Sequence, residues 1–218
     1  MRERARFAPS PTGPLHIGGV RTALFNYLIA KKNGGDFILR IEDTDTARTV
    51  EGAEEYIIES LKWLGLTPDE NPYKQSERKD LYLKHVNMLV EKGFAYHCFD
   101  APEELKEAKA KHGNDFKYRH DKSFGLKNTF TISKEEADSL IAKGQFVIRM
   151  VVPSNEIIKV KDEIRGGLSF NSNELEDKII LKSDKMPTYH LANVVDDNDM
   201  KITSVVRGEE WISSLPLP

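Results

Sequence analysis

Four groups of polar residues fall where short apolar runs end: Arg6 with Ser10, Glu42 with Asp43 and Asp45, Tyr189 with Asn193, and Arg207 with Glu210. A guanidinium grips a carboxylate through two parallel N–H donors, a fork that Lys cannot reproduce. Arg6, Glu42 and Arg207 gathered in one crevice would suit a ligand with two carboxylates and one ammonium, the charge pattern of an acidic amino acid. Tyr189 and Asn193, at i and i+4, would add neutral hydrogen bonds from one helical face. Each group also has a plainer reading. Arg6 and Arg207 can be strand-end charges in water, and Tyr189 can belong to a core. The acids at 42–45 can form a solvated loop or a magnesium site, and Asp196-Asp197 can be a helix-end loop.

A second chemistry is written in the turn Pro11-Thr12-Gly13-Pro14-Leu15-His16-Ile17-Gly18-Gly19. Gly18 and Gly19 carry no Cβ, so a ligand can approach the backbone closely, and the unpaired N–H groups of a helix start attract anions. His16 can donate to a phosphate oxygen. A Pro- and Gly-rich turn entering a helix is also ordinary punctuation, so the turn becomes informative only with its neighbours.

The elements that must position these residues follow from periodicity. A short strand precedes the turn. Val20, Ala23, Leu24, Tyr27 and Leu28 recur at helical spacing and stop at Asn33-Gly34-Gly35. Phe37 to Ile41 reads as an apolar strand interrupted by Arg40, with the acids of 42–45 at its carboxyl end, the end where open parallel sheets bind ligands. Val50, Ala53, Ile57, Leu61 and Leu64 mark a second helix stopped by Gly65. This strand–helix alternation predicts an α/β fold with a Rossmann-like parallel sheet and helices on both faces. Ser76 is placed to cap a third helix, and Phe94 to Phe99 reads as a strand.

From about Asp100 to Lys182 the texture becomes α+β: a charged helix from Pro102, a capping box Ser133-x-x-Glu136, and strands at 146–152, 157–160, 168–170 and 179–181. The expected organisation is a first half-domain over 1–99, an inserted domain over 100–182, and the start of a second half over 183–218. In that last part Pro187 to Asp197 reads as a helix, Ile202 to Arg207 as a strand, and Gly208 begins a further turn.

The 218 residues hold enough apolar side chains, 39%, for a sizeable core. The net charge of −3 gives no overall basic footprint for nucleic acid. Cys98 is the only cysteine, which excludes an internal disulfide and fits a reducing, cytoplasmic setting. No apolar run approaches the length of a signal peptide or of a membrane span, so neither export nor membrane insertion is expected.

Taken in order, the segments resemble the class I aminoacyl-tRNA synthetases, and within them the bacterial glutamyl-tRNA synthetases. Arg6 to Gly13 with Leu15-His16-Ile17-Gly18 looks like their "HIGH" region. Arg40-Ile41-Glu42-Asp43-Thr44-Asp45, Lys62 to Leu66, Tyr73 to Arg78, Leu181 to Asp184, Pro187 to Asp197 and Val206 to Trp211 match in sequence. The resemblance covers nearly the whole chain and is weakest from about His112 to Gly144. It implies a ligase that activates L-glutamate with ATP and Mg2+ and transfers it to tRNA(Glu), acting as a monomer away from membranes. It further implies that Arg6, Ala8 (through its backbone), Ser10, Glu42, Tyr189, Asn193 and Arg207 contact glutamate. Arg207 then faces the side-chain carboxylate and Glu42 the ammonium. His16, Gly18 and Glu210 are implied at ATP, and Asp45 and Arg48 near the tRNA acceptor end.

Two departures stand out. Gly19 occupies the last position of the "HIGH" signature, and the lysine-rich "KMSKS"-type loop and the anticodon-binding region have no counterpart before Pro218. The resemblance therefore implies an N-terminal part of the enzyme, inactive or nearly so alone. Some relatives hold zinc in the inserted domain, but a single cysteine with irregularly spaced His97, His112 and His120 argues against a four-coordinate site here. The basic residues between Lys106 and Lys127 are interleaved with acids, which suits a solvated surface as well as a tRNA contact. Two alternatives share parts of the pattern. One is the shorter paralogue that glutamylates a queuosine base in tRNA. The other is a non-catalytic module that binds glutamate or tRNA.

Overall fold

The computed structural model describes residues 2–45, 47–113, 116–121 and 124–217; Lys122, one of the basic residues above, lies outside them. The chain forms two compact units, Met1–Lys79 with Asn193–Ile212, and Asp80–Ala192 with Ser213–Pro218.

In the first unit, β1 (Arg4–Phe7), β2 (Asp36–Ile41) and β3 (Tyr73–Lys74) form a parallel sheet in the order β1-β2-β3. Helices α1 (Ile17–Lys32) and α2 (Ala53–Trp63) make the crossovers. The pleat alternates side chains between faces, and the register sets Arg6 beside Ile38. Ala5, Phe7, Phe37, Leu39 and Ile41 consequently share one face and pack with Ala23 and Ala30 of α1 and Ile57 and Leu61 of α2. Burying each of Phe37, Leu39 and Ile41 contributes about 1.5–3 kcal/mol. The opposite face of β1 and β2 carries Arg6, Ile38 and Arg40 and continues to Glu42. There it meets Asn193, Asp196 and Asp197 of α6 (Tyr189–Asp199). Helices thus cover both faces of the sheet, as predicted.

Several local expectations are corrected. The buried stripe of α1 is Ala23, Asn26 and Ala30, whereas Leu24 and Leu28 are exposed, because the close approach of the helix to the sheet selects small residues. Val50 and Leu64 are likewise exposed at the ends of α2. Ser76 caps no helix. It lies in a 3-10 turn, Gln75–Arg78, ahead of α3 (Lys79–Glu91), where its N–H and Oγ–H donate to Asp43 Oδ1 and Oδ2 at 2.8 and 2.6 Å. The stretch 202–207 forms no extended strand. It meets β1 at the parallel bridge Ala5↔Ser204, where the Thr203 and Ser204 N–H groups donate to the Arg4 carbonyl and the Arg4 N–H donates to Thr203 Oγ1.

In the second unit, β4 (Ala95–Cys98), β5 (Val147–Met150) and β8 (Ile179–Leu181) form a separate antiparallel sheet in the order β4-β5-β8. A hairpin, β6 (Ile157–Asp162) with β7 (Gly166–Asn171), leaves Ile164 exposed at its tip. Tyr96, Cys98 and Tyr118 pack with Ala108 of α4 (Pro102–His112). Ser133 Oγ accepts the Glu136 N–H and caps α5 (Lys134–Ala142), as its capping-box pattern predicts. Asp177, fully buried, ties this unit together. Its Oδ1 accepts the Val152 N–H at 2.9 Å, and its Oδ2 accepts the Tyr96 hydroxyl at 2.8 Å and the His120 N–H at 2.6 Å. Burial pushes the Cys98 thiol up to about 12, which makes it an inert packing group.

Candidate ligand site at the carboxyl ends of β1 and β2

The buried charged side chains of the first unit, Arg6, Arg40 and Asp196, lie on the α6 face of the sheet. Asn193 Oδ1 is the meeting point. It accepts N–H bonds from Arg207 Nη2 at 2.9 Å, Arg40 Nη2 at 3.1 Å and Arg6 Nη2 at 3.3 Å. A neutral amide oxygen cannot balance three cations. Three carboxylates do that work: Asp197 Oδ1 accepts Arg40 Nη1 at 2.6 Å and Arg6 Nε at 3.0 Å, Glu42 Oε1 accepts Arg40 Nη2 at 3.0 Å, and Asp196 Oδ2 lies 3.9 Å from Arg40 Nε. Behind them Asp196, fully buried, accepts Arg78 Nε at 2.9 Å and Gln75 Nε2 at 2.8 Å.

The electrostatics follow from this crowding. Burial lowers the pKa of the Arg6 guanidinium, Asp197 opposes that, and the cations Arg40 and Arg207 add to it. Burial likewise opposes the Arg40 charge, but Glu42 and Asp197 outweigh it and hold the group above its ordinary value. Burial raises the Asp197 carboxyl, yet Arg6 and Arg40 carry it below the usual carboxylate range. Glu42 goes the other way, since burial lifts its carboxyl more than Arg40, Arg6 and Arg207 pull it down.

Arg6, Glu42, Asn193 and Arg207, singled out in the sequence, are therefore brought together by two parallel strands, one helix and the segment after it. The others lie elsewhere. Ala8 is half-buried and Ser10 exposed in the loop after β1. Tyr189 opens α6 in the second unit, its ring edge-on to His190 at 5.6 Å. Asp45 and Arg48 are paired with each other at 2.6 Å on an exposed turn. Glu210 is exposed, and its carboxylate folds back over the bare backbone of Gly208.

His16 is the N-cap of α1. Its Nδ1 accepts the Gly18 N–H at 3.1 Å, so in the neutral ring the proton sits on Nε2, which can donate outward. The first turn of α1 carries no acidic residue, which leaves its N-terminal partial charge available to an anion. A Cβ on Gly18 would stand 2.8 Å from the His16 ring, and one on Gly19 would stand 2.6 Å from Leu15 Cδ1.

Arg40, Asp196, Asp197 and Gln75 were missed by sequence reasoning. A signal was present: an arginine inside an otherwise apolar strand must be paired when buried. Asp196 and Asp197, three and four residues after Asn193, share its helical face.

An α/β unit with charged side chains gathered at the carboxyl ends of parallel strands defines a class of nucleotide-fold protein, and the chain belongs to the family of tRNA synthetases class I (E and Q), catalytic domain, which it matches over residues 3–217. It is 58% identical to a glutamate–tRNA ligase of Azobacteroides pseudotrichonymphae, over 100% of this chain and 44% of that one. A glutamate–tRNA ligase of Flavobacterium johnsoniae is 54% identical over 98% of this chain and 45% of its own length. Among solved structures, a glutamate tRNA ligase from Elizabethkingia meningosepticum in complex with its amino acid superposes with a TM-score of 0.95 at 50% identity. That match covers 100% of this chain and 46% of the other. The chain thus spans less than half the length of these relatives. Among the described residues no helix is long and apolar enough to cross a membrane, and no group of three His, Cys, Asp or Glu side chains stands placed to hold a metal.

Proposed function

We propose that this chain supplies the amino-acid and ATP half of a cytoplasmic glutamate–tRNA ligase. The observation that carries the reading is the convergence of Arg6, Arg40 and Arg207 on one amide oxygen with Glu42 beside them, in a chain of this family. Arg207 receives the side-chain carboxylate of L-glutamate and Glu42 its ammonium. Asn193 has its Oδ1 committed to the three guanidiniums, so it offers a ligand its Nδ2 donor. Ala8 and Ser10, in the loop after β1, complete the glutamate contacts of this unit. The relative solved with its amino acid supports this choice of ligand.

ATP is assigned to the start of α1, with the Nε2 proton of His16 and the backbone at Gly18 directed to its phosphates, and with Glu210 alongside. Magnesium would be held chiefly by the phosphates themselves. The glutamate α-carboxylate oxygen forms a bond to the α-phosphorus, and the bond from that phosphorus to the leaving pyrophosphate breaks. The terminal ribose hydroxyl of tRNA(Glu) then attacks the acyl carbon, loses its proton, and AMP departs. Nothing in these steps needs a covalent enzyme intermediate, so the side chains act by positioning and charge stabilisation. Asp45 and Arg48 are assigned to the acceptor end, the protein to a monomer, and residues 100–182 to an inserted acceptor-end domain between half-domains 1–99 and 183–218.

Calorimetry with L-glutamate, and ATP–pyrophosphate exchange with tRNA present, test the reading on the full-length gene product. Saturable glutamate binding with glutamate-dependent exchange is expected. Binding without exchange would point to a non-catalytic module, and the absence of glutamate binding would end the reading.

A further inference from the structure

Arg40 and Asp197 have no part in the ligand assignments above, yet Arg6, Glu42 and Asn193 are each bonded to one of them. Arg40 has no exposed surface and cannot itself reach a ligand. Its fork is spent on three acceptors: Nη1 donates to Asp197 Oδ1 at 2.6 Å, and Nη2 to Glu42 Oε1 at 3.0 Å and Asn193 Oδ1 at 3.1 Å. Asp197 Oδ1 in turn accepts Arg6 Nε at 3.0 Å, and Asn193 Oδ1 accepts Arg207 Nη2 at 2.9 Å. The Arg40–Asp197 pair therefore sets the position of Arg6 and Glu42 directly, and of Arg207 through Asn193.

A buried ion pair is a poor device for stability alone, because an apolar pair of similar volume avoids the cost of desolvation. What it supplies is geometry. The planar fork holds three acceptors at defined angles, and an ammonium on a flexible stem cannot hold the same three. The carboxylate shared by Arg6 and Arg40 keeps two like charges adjacent and oriented, where repulsion would otherwise drive the two guanidiniums apart.

We infer that Arg40 and Asp197 are a positioning pair that holds Arg6, Glu42 and Asn193 in the arrangement that recognises the amino-acid substrate. The inference rests on the glutamate reading of the same site. Its test uses the full-length gene product in glutamate-dependent pyrophosphate exchange with tRNA present, comparing wild type, Arg40→Lys and Asp197→Asn. Both variants keep approximate volume, and Asp197→Asn also keeps an oxygen acceptor. The KM for glutamate should rise by at least about 10-fold, a loss short of removing a buried charge contact outright. The KM for ATP should stay within about twofold. A purely structural pair would lower the melting temperature and leave the glutamate KM in place, and that outcome in folded variants overturns the inference while the glutamate reading stands. If Arg40→Lys does not fold, Asp197→Asn decides alone. If neither folds, the pair is a folding element and the inference is overturned. A wild-type protein without glutamate-dependent exchange removes the glutamate reading, and the inference with it.

Discussion

Each unit has a buried polar hub, and the two differ in what surrounds the acceptor. In the second unit a full carboxylate, Asp177, is enclosed by a backbone N–H from Val152, another from His120, and the Tyr96 hydroxyl. In the first, a neutral oxygen, Asn193 Oδ1, faces three guanidiniums. An anion enclosed by short, mostly neutral donors is a finished scaffold element, since its partners would be left unsatisfied without it. A neutral acceptor crowded by cations is an unfinished one, and an arriving anionic ligand relieves the repulsion. Buried polarity alone therefore does not mark a functional site; a cluster of guanidiniums meeting on a neutral oxygen at the carboxyl ends of parallel strands does.

This contrast can be broken by experiment. Removing the enclosed anion with Asp177→Ala should cost stability by about 1–3 kcal/mol for each buried donor left unsatisfied, because Tyr96 and two backbone N–H groups lose their acceptor. Denaturant titration measures the loss, and calorimetry under native conditions should find glutamate binding by the folded protein unchanged. Arg207→Ala should reverse that pattern. Losing the cation assigned to the ligand carboxylate costs about 2–5 kcal/mol of binding, roughly 30-fold or more in Kd, with little change in the denaturation midpoint. Unchanged glutamate affinity in that variant would remove Arg207 from the site.

A titration gives a smaller, graded effect. The Glu42 carboxyl lies above its ordinary value of 4.5 because burial outweighs the pull of Arg40, Arg6 and Arg207. A protonated Glu42 cannot balance an ammonium, so glutamate binding should begin to weaken while the pH is still above 4.5. Binding isotherms collected down a pH series should show that limb, and Glu42→Gln should flatten it. The stability linkage has opposite signs at the two acids. A raised carboxyl such as Glu42 favours the folded state less as pH rises from its unfolded value through its folded one. Asp197, held below 3.8 mainly by Arg6 and Arg40 acting against burial, contributes stability that is present above its unfolded pKa and lost as pH falls through its folded one. The smallest effect belongs to the scaffold: Ser133→Ala should cost about 1 kcal/mol by removing the cap of α5, and glutamate affinity should not change.

The elements were largely legible because burial on one face imposes a period. The parallel β1–β2 pair, the α1 and α2 crossovers, the Ser133 cap and the helix carrying Asn193 all follow from local pattern and capping chemistry. Where pattern failed, a tertiary contact had overruled it. Leu24 and Leu28 made a convincing apolar stripe, but α1 lies against the sheet through Ala23, Asn26 and Ala30. Asn26 Nδ2 also reaches the Val206 carbonyl at 3.2 Å. Ser76 had the right side chain for a cap and was taken instead by Asp43.

Sequence alone determined which residues carry charge at the ends of the strands, because those positions are punctuated by local turns and breaks in apolar runs. It also determined that the turn before α1 could present free N–H groups and an imidazole. Only the tertiary structure decided that Arg40 is fully enclosed, that Asp196 and Asp197 belong to the sheet face and not to a solvated loop, and that three guanidiniums share one oxygen. The reason is distance along the chain. Arg40 meets Asp197 across 157 residues, and the choice between a solvated and a paired arginine depends on what the fold brings opposite it, which no local spacing records.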